Sequence, residues 1–275
     1  MKKTLWALAL AIVAASMPSM ASNVIKTAKF KLSDDTSLMN PSIDDSSWKD
    51  IDITRPWNSQ GYPKDAHNGW YRIHFTPKKT QLGKNEYNQF LFIDLGKVDD
   101  VDMTYLNGKL IGQTGRMPSD PKGYMSQWNE QRSYVVPVKD KNIKWDEDNV
   151  LVVHCYNGDG DAGMFGNGVT VRLAQLTNAA SLDFSEKHDK DGSFCTVSLN
   201  SIIPADVKGT LRVSVTDYAT GKEISSVVRK VKAREGKSAA VTFPTDLHKE
   251  MSVKAEFTAD KSGEKIVKEY RPKYI

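Results

Sequence analysis

The sequence predicts an all-β protein, and three features of the chain support this prediction. Short runs rich in β-branched and aromatic residues alternate with Gly, Pro, Asn and Asp along most of the 275 residues, whereas patterns with helical period are scarce. The pair Asn107-Gly108 lies between two such runs and suits a type I′ hairpin turn, which needs positive φ at both central residues. All six tryptophans precede residue 150, which indicates two successive units of different composition.

The first 21 residues have the pattern of a secretory signal peptide. Lys2 and Lys3 precede an apolar run at residues 5–15, and Ser19-Met20-Ala21 is a small-residue cleavage signature. This run is shorter than the about 20 apolar residues that cross a bilayer, and no later run reaches that length. We therefore expect cleavage near Ala21, a periplasmic or secreted location, and no membrane span.

Residues 22–178 are predicted to form the first unit. Two long segments, at residues 57–68 and 115–130, interrupt its strands and carry aromatic residues, and loops of this length are usually functional or ordered by their own packing. The predicted strands are residues 28–32, 49–53, 69–75, 90–95, 101–106, 109–112, 132–138, 149–156 and 169–176.

The central hairpin fixes which residues should face each other. With a two-residue turn at Asn107-Gly108, Tyr105 is expected opposite Leu110, and Thr104 opposite Ile111.

Three carboxylates, Asp99, Asp100 and Asp102, stand at the entrance to this hairpin. Glycoside hydrolysis uses a pair of carboxylates across a cleft, so these residues are candidates for such chemistry. A structural role is the favoured alternative, in which they accept hydrogen bonds from loop amides or pair with Arg72 or Arg132.

Residues 179–275 are predicted to form the second unit, an immunoglobulin-like sandwich. Seven short strand-like runs separated by turns are typical of that architecture. They are residues 182–186, 194–199, 210–216, 223–231, 238–243, 251–257 and 265–270.

Five segments of the first unit resemble a known family when they are taken in order. They are Asp44-Asp45-Ser46-Ser47-Trp48, Gly69-Trp70-Tyr71-Arg72, the run LGKVDDVDMTYLNGKLIGQTG at residues 95–115, Arg132-Ser133-Tyr134-Val135-Val136-Pro137, and Asn149-Val150-Leu151-Val152-Val153. This series is similar to the galactose-binding-like β-jelly-roll domain of family-2 glycoside hydrolases, and to the version found in sialate O-acetylesterase-like proteins. The resemblance covers about residues 40–176, and it implies a jelly roll that accompanies a separate catalytic domain.

The motifs of a catalytic unit are missing from the sequence. A (β/α)₈ barrel needs at least about 200 residues, more than residues 179–275 provide. The chain has no Gly-x-Ser-x-Gly turn, and its five histidines are scattered. We therefore expect a non-catalytic carbohydrate-binding or accessory protein of a glycan-degrading system. The alternatives are a divergent glycoside hydrolase or carbohydrate esterase, an accessory subunit that completes such an active site in trans, and a structural adhesion module.

Aromatic faces with polar neighbours on the loops are the candidate carbohydrate-binding groups, because sugars stack on flat rings and hydrogen-bond at the rim. An alternative for Trp57 and Trp128 is that they hold the long loops on the sheet, while Trp48 and Trp70 are expected in the core. The candidates are Trp57, Asn58, Tyr62, Arg116, Tyr124, Trp128, Asn129, Glu130 and Phe165.

No cofactor is expected, although the oxygen-rich run at residues 157–161 leaves a structural calcium ion as an alternative. Cys155 and Cys195 are expected to be unpaired core residues, because they lie in different predicted units. The net charge of +4 favours neither nucleic acid nor an acidic surface as a partner. A carbohydrate is the expected ligand, and a hydrolase encoded nearby is a further candidate partner.

Overall fold

The computed structural model describes residues 24–271, except residues 86, 191 and 245–250. These residues form four antiparallel sheets, which confirms the predicted all-β class. The predicted signal peptide lies outside the described residues. Within them, no helix is both long enough and apolar enough to cross a membrane.

The first two sheets form the jelly-roll sandwich. One has six strands in the order β2-β1-β3-β8-β5-β6, and the other has the order β10-β4-β7, with β9 paired to the end of β4. The strands are β1 (Thr27–Leu32), β2 (Lys49–Asp52), β3 (Asn68–Phe75), β4 (Phe90–Asp99), β5 (Val101–Leu106), β6 (Lys109–Thr114), β7 (Gln131–Pro137), β8 (Asn149–Tyr156), β9 (Gly163–Phe165) and β10 (Thr170–Leu173). Short 3₁₀ helices occupy Thr36–Met39, Trp57–Gln60, Lys79–Gln81 and Tyr87–Gln89.

Strand β4 shows how the sandwich is held together. Successive strand residues point to opposite faces, and Leu91, Ile93 and Leu95 are buried between the two sheets. Phe90 and Phe92 lie on the other face and join a second apolar cluster with residues of the later strands. Asp94 is on the same face of β4 as Phe90 and Phe92, but it is not part of this apolar cluster.

The second pair of sheets follows a four-residue α-helix, α1 (Leu176–Ala179). Seven strands form a three-stranded sheet, β11-β12-β15, and a four-stranded sheet, β14-β13-β16-β17, as predicted for an immunoglobulin-like sandwich. They are β11 (Ala180–Asp189), β12 (Gly192–Ser201), β13 (Val207–Asp217), β14 (Glu223–Ala233), β15 (Ala239–Pro244), β16 (Met251–Ala259) and β17 (Lys265–Tyr270).

The Asn107-Gly108 turn is present, with φ of 48° and 84° at its two residues. Tyr105 faces Leu110 as predicted, but Thr104 faces Gly112, so the predicted pairing of Thr104 with Ile111 is wrong. The register shifts between these pairs because β6 contains an extra residue.

At the bulge, the ring of Tyr134 packs directly against Gly112. A Cβ atom built on this residue would lie 2.1 Å from the Tyr134 ring, so a residue without a side chain is needed there. Ile111 packs instead against the core of the sandwich. The alternation of apolar and polar residues in β6 does not indicate that the Tyr134 ring packs at this position.

The two cysteines are buried and unpaired, as predicted. The thiol of Cys155 donates to the carbonyl oxygen of Asp99 at 3.1 Å.

Candidate functional site

The long loops of the first sandwich meet around the start of the central hairpin. The Asp100 carboxylate accepts hydrogen bonds from the Ser126 hydroxyl and from the Gly158 amide, the latter at 2.7 Å. It therefore joins the loop at residues 115–130 to the loop at residues 157–169. Asn58 connects the remaining long loop, because its side-chain amide donates to Asp161 at 3.0 Å.

The adjacent carboxyl groups of Asp99 and Asp100 share this buried position and have different proton affinities. Burial, together with the neighbouring carboxylates of Asp100 and Asp161, raises the pKa of Asp99 to about 7. Burial also disfavours ionisation of Asp100, but hydrogen bonds from Ser126, Asp99 and Gly158 outweigh it and lower the pKa of Asp100. The pair is therefore held as one acid and one carboxylate at mildly acidic pH, and it fastens loops to the sheet.

We expect Asp99 to contribute a loss of stability as the pH rises from about 4 to about 7. Over this range the folded state keeps a proton on Asp99 that the unfolded chain, with a carboxyl pKa near 3.9, has already lost. Unfolding therefore releases a proton, and the free energy of unfolding decreases with pH. Replacing Asp99 by asparagine, which keeps a donor toward Asp100, should remove roughly 1–2 kcal/mol of this loss between pH 5 and pH 8, after allowance for solvent screening.

Urea unfolding at pH 5, 6, 7 and 8 measures this effect. The exposed Asp65 provides the matched control, because Asp65→Asn should give a pH profile parallel to the unsubstituted protein. A parallel profile for Asp99→Asn would contradict the assigned proton.

Trp57 was predicted as a sugar-binding face, and its position in the structure corrects this. Its exposed fraction is 0%, and its ring packs against Phe30 and Tyr71 at centroid distances of 5.5 and 6.5 Å. The indole N–H donates to the Pro63 carbonyl oxygen at 3.2 Å, and the Trp57 amide donates to the Ala162 carbonyl oxygen at 2.8 Å. Trp57 therefore holds two loops on the sheet, which was the alternative interpretation.

Three other candidates, Tyr62, Arg116 and Tyr124, each contact other parts of the protein, although Tyr124 is 41% exposed. Tyr62 is half-buried and meets Phe30 edge to face at 4.8 Å. Arg116 donates from Nε to the Gly123 carbonyl oxygen at 2.9 Å, within its own loop. Burial and the contact with Asp100 raise the pKa of Tyr124.

Trp128, Asn129 and Glu130 lie together on the surface, and all three are exposed. The Trp128 side chain is 53% accessible, so its ring is available to a ligand. Asn129 accepts a hydrogen bond from the Lys97 ammonium group. This contact brings the 115–130 loop to the end of β4, beside the last candidate, Phe165.

Phe165 lines a pocket of about 430 Å³, which we call the Phe165 pocket. Its volume is within the usual range of small-molecule sites. Phe165 pairs with Lys97 across β9 and β4, and Thr170 of β10 lies opposite Asp94 of β4. The pocket is lined by Val24, Asp94, Gly96, Lys97, Gln131, Phe165, Gly166, Asn167, Gly168, Thr170 and Arg172.

Phe165 was a predicted site residue, but the polar residues that line the pocket with it were not. The Asp94 carboxylate accepts from the Gly96 amide at 3.0 Å and from the Gln131 side chain. Thr170 and Arg172 are two residues apart on β10, so they share one face. Their outward-facing alternation with Val171 and Leu173 is visible in the sequence, but their pairing with β4 is not.

A second pocket, of about 410 Å³, is lined by residues of the loops at residues 64–67 and 157–159. His67 and Asn157 line it, and His67 stacks on Tyr156 at a centroid distance of 5.6 Å. Tyr124 meets Tyr156 edge-on at 5.7 Å. None of the predicted site residues is among those that line this pocket.

In the part of the chain that the structure describes, no group of three or more His, Cys, Asp or Glu side chains has the arrangement of a metal site. In the run at residues 157–161, for which a calcium ion was the alternative interpretation, the Asn157 side chain donates to the carbonyl oxygens of Lys64 and Ala66 at 3.0 and 3.2 Å. Asp161 accepts from Asn58. These contacts give the run a role in joining loops.

Solved structures of glycoside hydrolases have a similar fold. A calcium-binding mutant of Bacteroides uniformis β-glucuronidase 2 matches 92% of this chain with a TM-score of 0.57 and 15% identity. A putative β-galactosidase from Bacteroides fragilis matches 91% with a TM-score of 0.53 and 15% identity, and a family-2 glycosyl hydrolase from Bacteroides cellulosilyticus matches 90% with a TM-score of 0.53 and 13% identity. These matches confirm, at the level of the fold, the resemblance to family-2 glycoside hydrolases.

The match covers only part of each enzyme. The chain spans 32%, 40% and 35% of the lengths of these three proteins, respectively. No family model matches the sequence, and no curated protein matches it.

Proposed function

We propose that the protein is an exported, non-catalytic carbohydrate-binding protein that assists a glycan-degrading system. The Phe165 pocket is the main support for this proposal. It places a half-buried aromatic ring beside the carboxylate of Asp94, the ammonium of Lys97 and the amide of Gln131. Such a combination suits a sugar, whose C–H face stacks on an aromatic ring while its hydroxyl groups bond to polar side chains.

The surface around the pocket extends the proposed site. Asn129 is held next to the pocket by Lys97, and the exposed ring of Trp128 follows in the same loop. A chain of several sugar units could therefore contact Phe165 and Trp128 in succession. The proposed export rests on the signal-peptide pattern of residues 1–21.

The carboxylates of the hairpin favour binding over hydrolysis. Asp102 forms an ion pair with Arg132 inside the protein, and Asp100 accepts hydrogen bonds from two loops. Their oxygens are thus engaged in the scaffold, so we assign them no reaction with a substrate.

We expect Phe165→Ala to weaken saccharide binding by about 5–30-fold, because removal of the ring loses about 1–2 kcal/mol of apolar contact. The protein is first screened on a glycan array, and the best oligosaccharide is then titrated by calorimetry. Tyr218→Ala is the matched control, since Tyr218 is a 51% exposed aromatic residue of the second sandwich. The Tyr218→Ala variant should bind the oligosaccharide with the same affinity as the unsubstituted protein.

Two results would contradict the proposal. One is that the protein binds no saccharide, either on the array or in the titration. The other is turnover of nitrophenyl glycosides or acetyl esters by the purified protein, which would favour the enzymatic alternative.

A further inference from the structure

The charges of the Phe165 pocket point to a more specific ligand. Resting on the proposed carbohydrate binding, we infer that the pocket selects an acidic saccharide, and that Lys97 and Arg172 are the cations that attract the carboxylate groups of sugar acids such as uronic acids. An arginine fork offers two parallel donors that match the two oxygens of a carboxylate.

Both cations of the pocket are held by neutral groups. The Lys97 ammonium donates to the side-chain oxygen of Asn129, and Arg172 Nη1 donates to that of Asn178 at 2.9 Å. Within the described residues, neither cation forms an ion pair with a carboxylate. Each therefore keeps a charge that an anionic ligand can neutralise.

Two polar atoms of the pocket wall have no partner among the described residues. They are Thr170 Oγ1 and Arg172 Nε, both buried. An unsatisfied buried donor costs about 1–3 kcal/mol, which a ligand oxygen would offset directly or through one bridging water. The two residues line the pocket from the same face of β10.

Arg172 is placed for this role by its surroundings. Its guanidinium lies 5.3 Å from the centroid of the Phe92 ring, and together with the Asn178 contact this fixes the orientation of the fork. A fork that is already ordered loses less side-chain entropy when it binds a carboxylate.

Asp94 determines where the ligand carboxylate can lie. Its own carboxylate lines the pocket and is held by the Gly96 amide and Gln131. Repulsion excludes a second anion from its immediate neighbourhood, whereas sugar hydroxyl groups can donate to it. A ligand carboxylate is therefore directed away from Asp94, to Lys97 or to Arg172, and the hydroxyl groups are directed to Asp94.

Tetragalacturonate and a hyaluronan hexasaccharide are suitable probes, each compared with the same oligosaccharide after reduction of its carboxyl groups to alcohols. We expect at least one acidic form to bind about tenfold or more tightly than its reduced form at low salt. Lys97→Gln should lower the affinity for the acidic form by about tenfold and should lower that for the reduced form much less. Asp94→Asn should strengthen binding of the acidic form.

Arg172→Lys tests the fork, since it keeps the charge and loses the paired donors, and it should also weaken binding of the acidic form. Lys141→Gln is the control, because Lys141 is exposed and lies outside the pocket. Equal binding of acidic and reduced forms would overturn the acidic-sugar inference and leave carbohydrate binding intact. Absence of binding to either form, and to every glycan on the array, would overturn both proposals.

Discussion

Trp57→Ala is expected to lower the free energy of unfolding by about 3–5 kcal/mol, the usual cost of removing a fully buried aromatic side chain. The ring fills a space that the surrounding backbone has left open. Cβ atoms built on Gly69 and Gly163 would lie 2.3 and 2.7 Å from atoms of the Trp57 ring. Because two glycines on different strands border the ring, neither wall carries a side chain that could fill the cavity.

Urea denaturation of Trp57→Ala and Trp128→Ala compares a buried with an exposed tryptophan in the same unit. Trp128 is 53% exposed, so its replacement should change the free energy of unfolding by less than about 0.5 kcal/mol. Calorimetric titration of both variants separates stability from binding. A Trp57→Ala variant that kept its stability and lost saccharide binding would contradict the structural role.

The sequence was a good guide wherever a local pattern determines the structure. The Asn107-Gly108 turn was predictable because few other pairs tolerate positive φ at both positions. The pairing of Tyr105 with Leu110 followed directly from the turn. The next pair was missed, because the bulge depends on a tyrosine from a strand more than 20 residues away.

The candidate site was less predictable, for a similar reason. An aromatic residue in a long loop looks the same in sequence whether its ring faces solvent, as in Trp128, or the core, as in Trp57. The polar wall of the Phe165 pocket is formed by β4 and β10, whose paired residues Asp94 and Thr170 are far apart in the chain. Spacing within one segment cannot reveal such a contact.

The carboxylates of the hairpin were predicted to accept loop amides or to pair with Arg72 or Arg132, and the structure confirms this role. Asp102 pairs with Arg132, and Asp100 accepts from the Gly158 amide. Arg72 instead pairs with Asp45 at 2.7 Å. The residue types indicated the chemistry, while the choice between two arginines required the fold.

Arg132→Ala is expected to lower the free energy of unfolding by about 3–5 kcal/mol, because it leaves a buried carboxylate without its cation. Arg132 and Asp102 both have exposed fractions of 0%, and Arg132 Nε donates to Asp102 Oδ1 at 3.1 Å. The hydroxyl groups of Thr104 and Tyr134 also donate to Asp102, each at 2.7 Å. The aspartate thus keeps two neutral donors but loses the only cation that the described residues place against it.

Arg132 also orders the loop that carries the exposed candidates. Its guanidinium donates to the carbonyl oxygens of Gln127, Glu130 and Asp100, the last at 3.0 Å. We therefore expect Arg132→Ala to loosen residues 127–130 as well as to destabilise the sandwich. Faster amide hydrogen exchange in this segment than in β8, measured below the unfolding transition, would report the local effect.

The surface pair of Arg212 and Glu223 provides the matched control for Arg132. The two side chains are 46% and 44% exposed, and the distance from Arg212 Nη2 to Glu223 Oε2 is 2.7 Å. Arg212→Ala should therefore lower the free energy of unfolding by no more than about 1 kcal/mol. In the double variant Arg132→Met with Asp102→Leu, both charges are removed, and the loss of stability should be smaller than the sum of the two single effects. Strict additivity in this cycle, or equal costs for Arg132→Ala and Arg212→Ala, would mean that the buried pair contributes no more than a solvated one.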